Sequence, residues 1–150
     1  MIQLLKTIGG GNYAVVFEAL YGIQTVAIKM PKHNSFNVAP DYPFSILQHP
    51  YIVSYIRHLP LSGSIVMEKC QLDLRTYLQD FNPNWQTKLK IARQIAEAMS
   101  FVHSRGILHL DLRTPNVLVK STNPPVVCVS DFGLSRFVDA INTSQRLRNQ

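Results

Sequence analysis

The 150-residue sequence has few of the features that mark membrane, secreted or zinc-binding proteins. Its two cysteines lie far apart in the sequence and form no C-x-x-C pair, so we expect reduced thiols. It has no run of about eighteen apolar residues and no N-terminal signal peptide, which argues against a membrane span and against secretion. The five histidines form no H-x-x-x-H or Cys/His cluster. These absences favour a cytoplasmic, intracellular protein.

Acidic residues are also scarce, since 9 Asp and Glu face 15 Lys and Arg, which gives a formal net charge of +6. Such an excess of positive charge can indicate nucleic-acid binding. Here the basic residues are scattered, and no basic face interleaved with aromatic residues emerges. Lys88, Lys90 and Arg93 fit the solvated side of a predicted helix. We therefore expect neither a nucleic-acid nor a membrane partner.

The most specific pattern in the sequence is a set of polar residues at fixed spacing. His109-Leu110-Asp111-Leu112-Arg113 leads, after two residues, to Asn116, and Asp131-Phe132-Gly133 begins fifteen residues later. The order is H-x-D-L-x-x-x-N followed by D-F-G. Asp and Asn are also common turn formers, but turn chemistry does not dictate such an interval. The joint pattern therefore indicates a chemical role.

A glycine-rich segment and a lysine-bearing strand precede this pattern. Residues 8–16 read G-x-G-x-x-A-x-V from Gly9 onward, between two β-prone stretches, and predict a hairpin tip. Glycines at such a tip allow backbone N–H groups to approach phosphates closely. The strand Val26-Ala27-Ile28-Lys29 follows, and its alternation places Ala27 and Lys29 on one face. A lysine in an apolar strand can also be a solvent-facing edge charge.

Together these motifs resemble the protein-kinase signature, most closely that of the tyrosine-kinase-like and tyrosine-kinase groups. The resemblance implies an α+β fold with two lobes: a β-rich small lobe over residues 1–66, a hinge at 67–70 and an incomplete helical large lobe over 71–150. It implies ATP and Mg²⁺ as cofactors and a protein substrate. Pro115 favours a Ser/Thr hydroxyl as the phosphoryl acceptor, whereas Arg113 favours tyrosine; we lean toward Ser/Thr.

The resemblance also assigns the site residues. Asp111 would orient the proton of the attacking hydroxyl, Lys29 would pair with the α- and β-phosphates, and Arg113 would hold the incoming phosphoryl group. Asn116 and Asp131 would bind magnesium. Met67 would be the gatekeeper, and the hinge backbone would bind the adenine edge. The residues expected at the nucleotide are Ile8, Gly9, Gly10, Gly11, Val16, Ala27, Lys29, Met67, Glu68, Cys70 and Leu118.

Two departures from the family pattern concern single positions. A helix glutamate that pairs with the lysine in the family falls here on Pro40. The only carboxylate between Met30 and Met67 is Asp41, which could replace it if the start of a short helix swings inward. Leu110 stands where most relatives have an arginine that receives an activation-loop phosphate, so that switch cannot work by the usual route.

A third departure concerns the segment after D-F-G. Only fourteen residues follow Arg136, with no A-P-E element and none of the helices that complete the large lobe in the family. We expect a fragment of a longer enzyme, or a partner that covers the exposed stripe of a helix from about Trp85 to His103. The alternative function is a pseudokinase or truncated interaction module. In the family's active state, the side chains at the positions of His109, Phe132 and Phe44 stack on one another.

Overall fold

A computed structural model describes the structure of residues 2–11, 13–32 and 46–138. Pro40, Asp41 and Phe44 lie outside these ranges, and so does most of the short helix predicted over Asp41–Gln48. The end of that prediction was wrong, because residues 46–48 are described and are not helical. The remaining motifs all fall within the described residues.

The small lobe is one antiparallel sheet of five strands, in the order β1-β2-β3-β5-β4. Its apolar, β-branched segments form the strands, and tight turns join β2 to β3 and β4 to β5, where Gly22 and Gly63 adopt positive φ angles of 65° and 64°. The strands are β1 (Ile2–Gly10), β2 (Ala14–Tyr21), β3 (Gln24–Pro31), β4 (Tyr55–Leu59) and β5 (Ser64–Glu68).

The second lobe holds two helices and two small sheets. Strands β6, β8 and β9 form a three-stranded sheet, and β7 pairs with β10. Single helical turns at 114–116 and 132–134 carry parts of the predicted motifs. The elements are β6 (Leu72–Asp73), α1 (Leu74–Phe81), α2 (Trp85–Ser104), β7 (Ile107–Leu108), β8 (Val117–Thr122), β9 (Pro125–Val129) and β10 (Arg136–Phe137).

Both helices begin at side-chain caps, as their sequences suggest. Asp73 and Asn84 each accept the backbone N–H three residues later, at 3.1 Å and 2.9 Å. Of the two asparagines beside Pro83, Asn84 therefore starts α2, whereas Asn82 ends α1 with a left-handed φ of 38°. A glycine after the last helical turn predicts a helix end, and Gly106, with φ of 69°, does follow the end of α2.

The β-prone stretch Ile52–Leu59 predicts one strand from its sequence, but this prediction is wrong at its start, because β4 begins only at Tyr55. Residues 51–53 instead run beside β9, where the N–H of Val53 donates to the carbonyl of Val129 and the N–H of Val129 donates to that of Tyr51, both at 2.9 Å. Ile52 is almost completely buried between the lobes with Val102, Val129 and Phe132. This backbone pairing joins the two lobes behind the cleft.

The apolar stripe predicted for α2 faces the core only in part. Ile91, Ala98 and Val102 are buried, whereas Leu89 and Trp85 are largely exposed. The elements nevertheless confirm the predicted α+β fold, with a β-rich small lobe and a partial helical lobe. No helix in the described part of the chain combines the length and apolar content needed to cross a bilayer.

The contact between the lobes predicts the effect of truncating Ile52. Because Ile52 is 1% exposed, Ile52→Ala is expected to lower the free energy of unfolding by about 2–5 kcal/mol. The matched substitution Ile23→Ala, at a fully exposed turn, should change it by no more than about 0.5 kcal/mol. Urea denaturation measures both, and equal midpoints for the two variants would contradict this account of the core.

Candidate active site

An ion pair between Lys29 and Asp131 joins the two lobes at the cleft. Lys29 lies on β3, in the middle of the five-stranded sheet, and Asp131 follows β9. Lys29 Nζ and Asp131 Oδ1 are 2.7 Å apart, which is hydrogen-bond distance. Asp131 adopts a left-handed φ of 62°, a conformation that Asp tolerates better than most residues. The backbone turn after β9 thus aims the carboxylate at the lysine.

Two opposing effects set the pKa of Asp131. Burial raises the pKa of this carboxyl group, but the nearby Lys29 ammonium, its hydrogen bond and a hydrogen bond from the backbone of Gly133 together outweigh burial. The pKa of Asp131 therefore lies below its ordinary value of 3.8. The group is an anion at neutral pH, which is the state that a divalent cation requires of a carboxylate ligand.

A second cluster brings together the other three polar residues of the predicted site. Asn116 Nδ2 donates to Asp111 Oδ2 at 2.7 Å and to the Asp111 carbonyl at 2.8 Å. Arg113 Nε lies 3.3 Å from Asp111 Oδ1. The Asp111 carboxylate is thus held on one oxygen by an amide and on the other by a guanidinium. The carbonyl oxygen Oδ1 of Asn116 is the atom of that side chain that could bind a cation.

His109 bonds to the backbone next to each of the two clusters. Its Nδ1 accepts the backbone N–H of Asp111 at 3.2 Å, which places the ring proton on Nε2, where it donates to the carbonyl of Ser130 at 2.9 Å. Its ring also lies edge-on against Phe132, with centroids 4.8 Å apart. The predicted contact between His109 and Phe132 is therefore present, while its third member, Phe44, lies outside the described residues.

The segment after Asp131 is held to the loop that carries Asp111. Ser135 Oγ donates to the carbonyl of His109 at 3.0 Å, and β10 pairs with β7 in antiparallel register. Sequence reasoning missed the role of Ser135. It also missed Ser130, whose N–H and hydroxyl both donate to the carbonyl of Asn116. A serine beside a D-F-G motif reads as an ordinary turn residue, so no local signal could have identified either role.

The predicted adenine-pocket residues form one apolar cluster beside the ion pair. Ala27 and Met67 are buried in it, together with Val53 and Cys128. The partly buried side chains of Val16, Cys70, Leu118 and Tyr55 pack against them. Val16 is the cross-strand partner of Lys29, so the apolar wall and the ammonium belong to adjacent strands.

The glycine-rich segment forms the hairpin predicted from its sequence. The tip lies between β1 and β2, and the N–H of Gly11 donates to the carbonyl of Ala14 at 2.9 Å. A Cβ added at Gly9 would lie 3.8 Å from that of Val16, and one added at Gly11 would meet nothing within 4 Å. Gly10 ends β1. Ile8 lies at an irregularity of the β1–β2 register, is exposed, and does not belong to the apolar cluster.

The predicted hinge, residues 67–70, covers the end of β5 and the first two residues of the connection to β6. The Glu68 carboxylate accepts the N–H of Ser54 at 2.7 Å and pairs with Lys120 at 2.8 Å, so its side chain holds the connection in place. Within the described residues, the backbone N–H and carbonyl of Cys70 make no hydrogen bond to the protein. These two groups are therefore available to a ligand that lies against the apolar cluster.

The donor chemistry of the site fits magnesium better than a transition metal. Asp131 and Asn116 offer a carboxylate and an amide oxygen, and Mg²⁺ prefers such ligands together with phosphate oxygens. The described residues contain no group of three or more His, Cys, Asp or Glu side chains that could hold a metal ion alone.

The pKa of Asp131 predicts how the ion pair responds to acid. Because the folded-state pKa lies below 3.8, the pair stabilises the fold above that pH, and this stabilisation is lost as the pH falls through the folded-state pKa. The excess unfolding free energy of the wild type over Asp131→Asn should therefore be constant near neutral pH and shrink as the pH falls below about 5, through 3.8 and on toward the folded-state pKa. Urea titrations at each pH measure it, with the exposed Asp80→Asn as a control for removing a carboxylate. An excess that stayed constant or grew on acidification would contradict the ion pair.

Comparison with known proteins agrees with this geometry. The family model described as protein tyrosine and serine/threonine kinase matches residues 2–150. A probable serine/threonine-protein kinase, gdt4 of Dictyostelium discoideum, is 34% identical over 149 residues, which cover 92% of this chain and 9% of that protein. The serine/threonine-protein kinase US3 of human herpesvirus 1 (strain 17) is 33% identical over 102 residues, 65% of this chain and 21% of the relative.

The serine/threonine-protein kinase mos of Xenopus laevis is 29% identical over 153 residues, which cover 90% of this chain and 42% of that protein. The chain thus spans less than half the length of each of these three relatives. The family match extends over almost every residue and includes the lysine strand, the catalytic-loop motif and D-F-G. The chain belongs to the protein tyrosine and serine/threonine kinase family.

Proposed function

We propose that the chain binds Mg-ATP between the five-stranded sheet and the Asp111–Asp131 segment, and transfers the γ-phosphoryl group to a serine or threonine hydroxyl of a protein. The observation that carries the proposal is the convergence of two polar clusters. Lys29 and Asp131 meet at 2.7 Å, and Asp111 and Asn116 meet at 2.7 Å. His109 links the backbones of Asp111 and Ser130, which connects the clusters directly.

Each side chain has a proposed task that follows from its contacts. Bound Mg²⁺ would neutralise charge on the phosphates, and Asp131 and the Oδ1 atom of Asn116 would hold it. Lys29 would supply a cation for the α- and β-phosphates from the side of the sheet. Asp111 would accept the proton of the attacking hydroxyl, because its carboxylate is fixed by Asn116 and Arg113. Arg113 would add positive charge where the transferred group arrives.

The adenine ring would lie against the apolar cluster. Val16 and Ala27 would cover one face, Leu118 the other, and Met67 would close the back of the pocket. The free backbone groups of Cys70 would provide hydrogen bonds to the edge of the ring, with the carbonyl of Glu68 beside them. The glycine-rich hairpin would cover the phosphates with backbone N–H groups.

The preference for serine or threonine is supported by the relatives, whose names specify serine/threonine kinases. Pro115 before Asn116 supports placement in the tyrosine-kinase-like group. We also propose a cytoplasmic location, in keeping with the two free cysteines. That the chain is a piece of a longer enzyme, with further chain or a partner on the exposed face of α2, stays a prediction.

A pseudokinase that binds partners without catalysis is the second candidate. Pro40 at the position of the helix glutamate and Leu110 at the position of the phosphate-binding arginine favour it. The close approach of Lys29 to Asp131 and of Asn116 to Asp111 favours the enzyme instead, because a docking module has no use for this geometry. Nucleotide binding and turnover distinguish the two functions.

Nucleotide binding is expected to stabilise the chain. Mg-ATP at about 100 times its Kd contributes about 2.7 kcal/mol, which raises the Tm by about 5–10 °C for a chain of this size. Lys29→Met should abolish most of this rise, because the phosphates lose their cation, whereas Lys88→Met on the exposed side of α2 should retain it. Differential scanning fluorimetry measures each variant against its own nucleotide-free Tm. An undiminished rise in Lys29→Met would contradict the assignment of Lys29.

Turnover should depend on Asp111 more than binding does. Loss of a general base lowers the rate by about 100-fold to 10,000-fold, so Asp111→Asn should bind Mg-ATP yet transfer little phosphate. Transfer from radiolabelled ATP to peptides that carry a single Ser, Thr or Tyr measures the rate and the acceptor together. Asp80→Asn, exposed on α1, is the matched control. Unchanged turnover in Asp111→Asn would overturn the assignment, and transfer to Tyr alone would overturn the acceptor class.

A further inference from the structure

The side chains of the two cysteines lie next to each other in the wall of the proposed nucleotide pocket. Cys70 and Cys128 are separated by 58 positions in sequence, yet their Sγ atoms lie 3.6 Å apart. Cys70 lies in the connection between β5 and β6, and Cys128 lies on β9, opposite Leu118 of β8. Both side chains belong to the apolar cluster that the adenine ring would contact. They are free thiols at hydrogen-bond distance from each other.

The surroundings make the two thiols unequal. The hydrogen bond from Cys128 lowers the pKa of Cys70 and, with Lys120 and Lys69, outweighs the burial of that thiol and the opposing charge of Glu68. The same hydrogen bond and complete burial raise the pKa of Cys128. Cys70 is also the partly exposed member of the pair. Of the two residues it is therefore the one that a solute can approach, and the sulfur of its partner lies 3.6 Å from its own.

We propose that Cys70 and Cys128 are an oxidisable dithiol, which a hydroperoxide converts into a disulfide that weakens nucleotide binding. The first part of the proposal concerns only the two thiols, and the second part rests on the proposed binding of Mg-ATP. Cytosolic disulfides are usually transient and redox-sensing, so a reversible bond at a ligand pocket fits such a role.

Formation of the disulfide requires one peroxide and no other oxidant. The Cys70 thiolate attacks one peroxide oxygen, the O–O bond breaks, and Cys70 becomes a sulfenic acid while the other oxygen leaves as water or an alcohol. Cys128 then attacks Cys70 Sγ, the S–O bond breaks, and the departing hydroxide takes the Cys128 proton as a second water. Two thiols are oxidised and one peroxide is reduced.

The new bond would move the hinge and leave the sheet in place. A disulfide requires an S–S distance of about 2.0 Å, so the two sulfurs must approach by about 1.5 Å. Cys128 is fixed by strand pairing to β8, whereas Cys70 lies outside any strand. The displacement therefore falls on the connection whose backbone groups are proposed to bind the adenine edge. Hydrogen bonds tolerate only a few tenths of an ångström of change, so nucleotide affinity should drop.

Hydrogen peroxide treatment of the full chain tests the first part without nucleotide. The reduced protein should lose both free thiols, lose the mass of two hydrogen atoms, and yield a digest peptide in which Cys70 is linked to Cys128. A dithiol reductant should restore the original mass. A free cysteine peptide treated under the same conditions is the positive control. The proposal would be overturned if the protein gained oxygen atoms without a linked peptide, or if both of its thiols stayed unreacted while the control peptide was oxidised.

Matched variants assign the two roles. In Cys128→Ala, oxidation should convert Cys70 to a sulfenic acid or a higher oxyacid, with no disulfide. In Cys70→Ala, Cys128 should stay unoxidised because it is buried. Rapid oxidation of Cys128 in Cys70→Ala would show that Cys70 is not the entry point. The linked peptide of the wild type decides the first part even where a variant fails to fold.

Calorimetric titration with Mg-ATP tests the second part. The oxidised wild type should bind at least about tenfold more weakly than the reduced wild type, and reduction should restore the affinity. Equal affinities with a demonstrated disulfide would overturn the regulatory role. Absence of binding by the reduced protein would instead contradict the proposed function, and the linked peptide would still decide whether the dithiol exists.

Discussion

The ion pair between Lys29 and Asp131 is the contact on which the rest of the site depends. It joins the central strand of one lobe to the turn after β9 in the other, over a separation of 102 positions. The carboxylate remains charged despite partial burial because the ammonium lies so close. Removing either partner would leave the other charge unpaired by this contact at the cleft. An uncompensated charge in a partly desolvated place lowers the stability of the fold. The two lobes therefore share one electrostatic centre.

Hydrogen bonds around His109 and Asn116 build a rigid frame beside that centre. Asn116 is buried, its side chain fixes Asp111, and its carbonyl accepts from Ser130. His109 holds the backbone at Asp111 and at Ser130 with its two ring nitrogens. Most of these bonds involve backbone atoms, so the positions of the acidic side chains follow from the path of the chain. Such pre-organisation is what phosphoryl transfer asks of a protein, because the reaction needs positioning more than covalent chemistry.

The sequence predicted the parts of the structure that depend on local pattern or on fixed motifs. The periodicity of α1 and α2, the cap at Asn84 and the glycine-rich hairpin all follow from neighbouring residues. Residues 52 and 53 look like the start of a strand, yet the N–H of Val53 donates to Val129 of β9 and that of Ile52 donates to His49, because tertiary contacts override β propensity there. The meeting of Cys70 with Cys128 depends on the order of β6, β8 and β9, which no local pattern encodes. Ile8 is exposed on β1 beside the glycine-rich hairpin, and its expected contact with the nucleotide stays a prediction.

Leu110 contributes no polar side-chain contact to the segment after D-F-G. This residue is exposed, has a positive φ of 66° and carries no hydrogen-bond donor, so it offers a phosphorylated side chain nothing to bind. The described residues after Asp131 are held instead by the pairing of β10 with β7 and by the hydroxyl of Ser135. Such uncharged bonds are screened little by salt. The arrangement around Phe132 should therefore persist at high ionic strength.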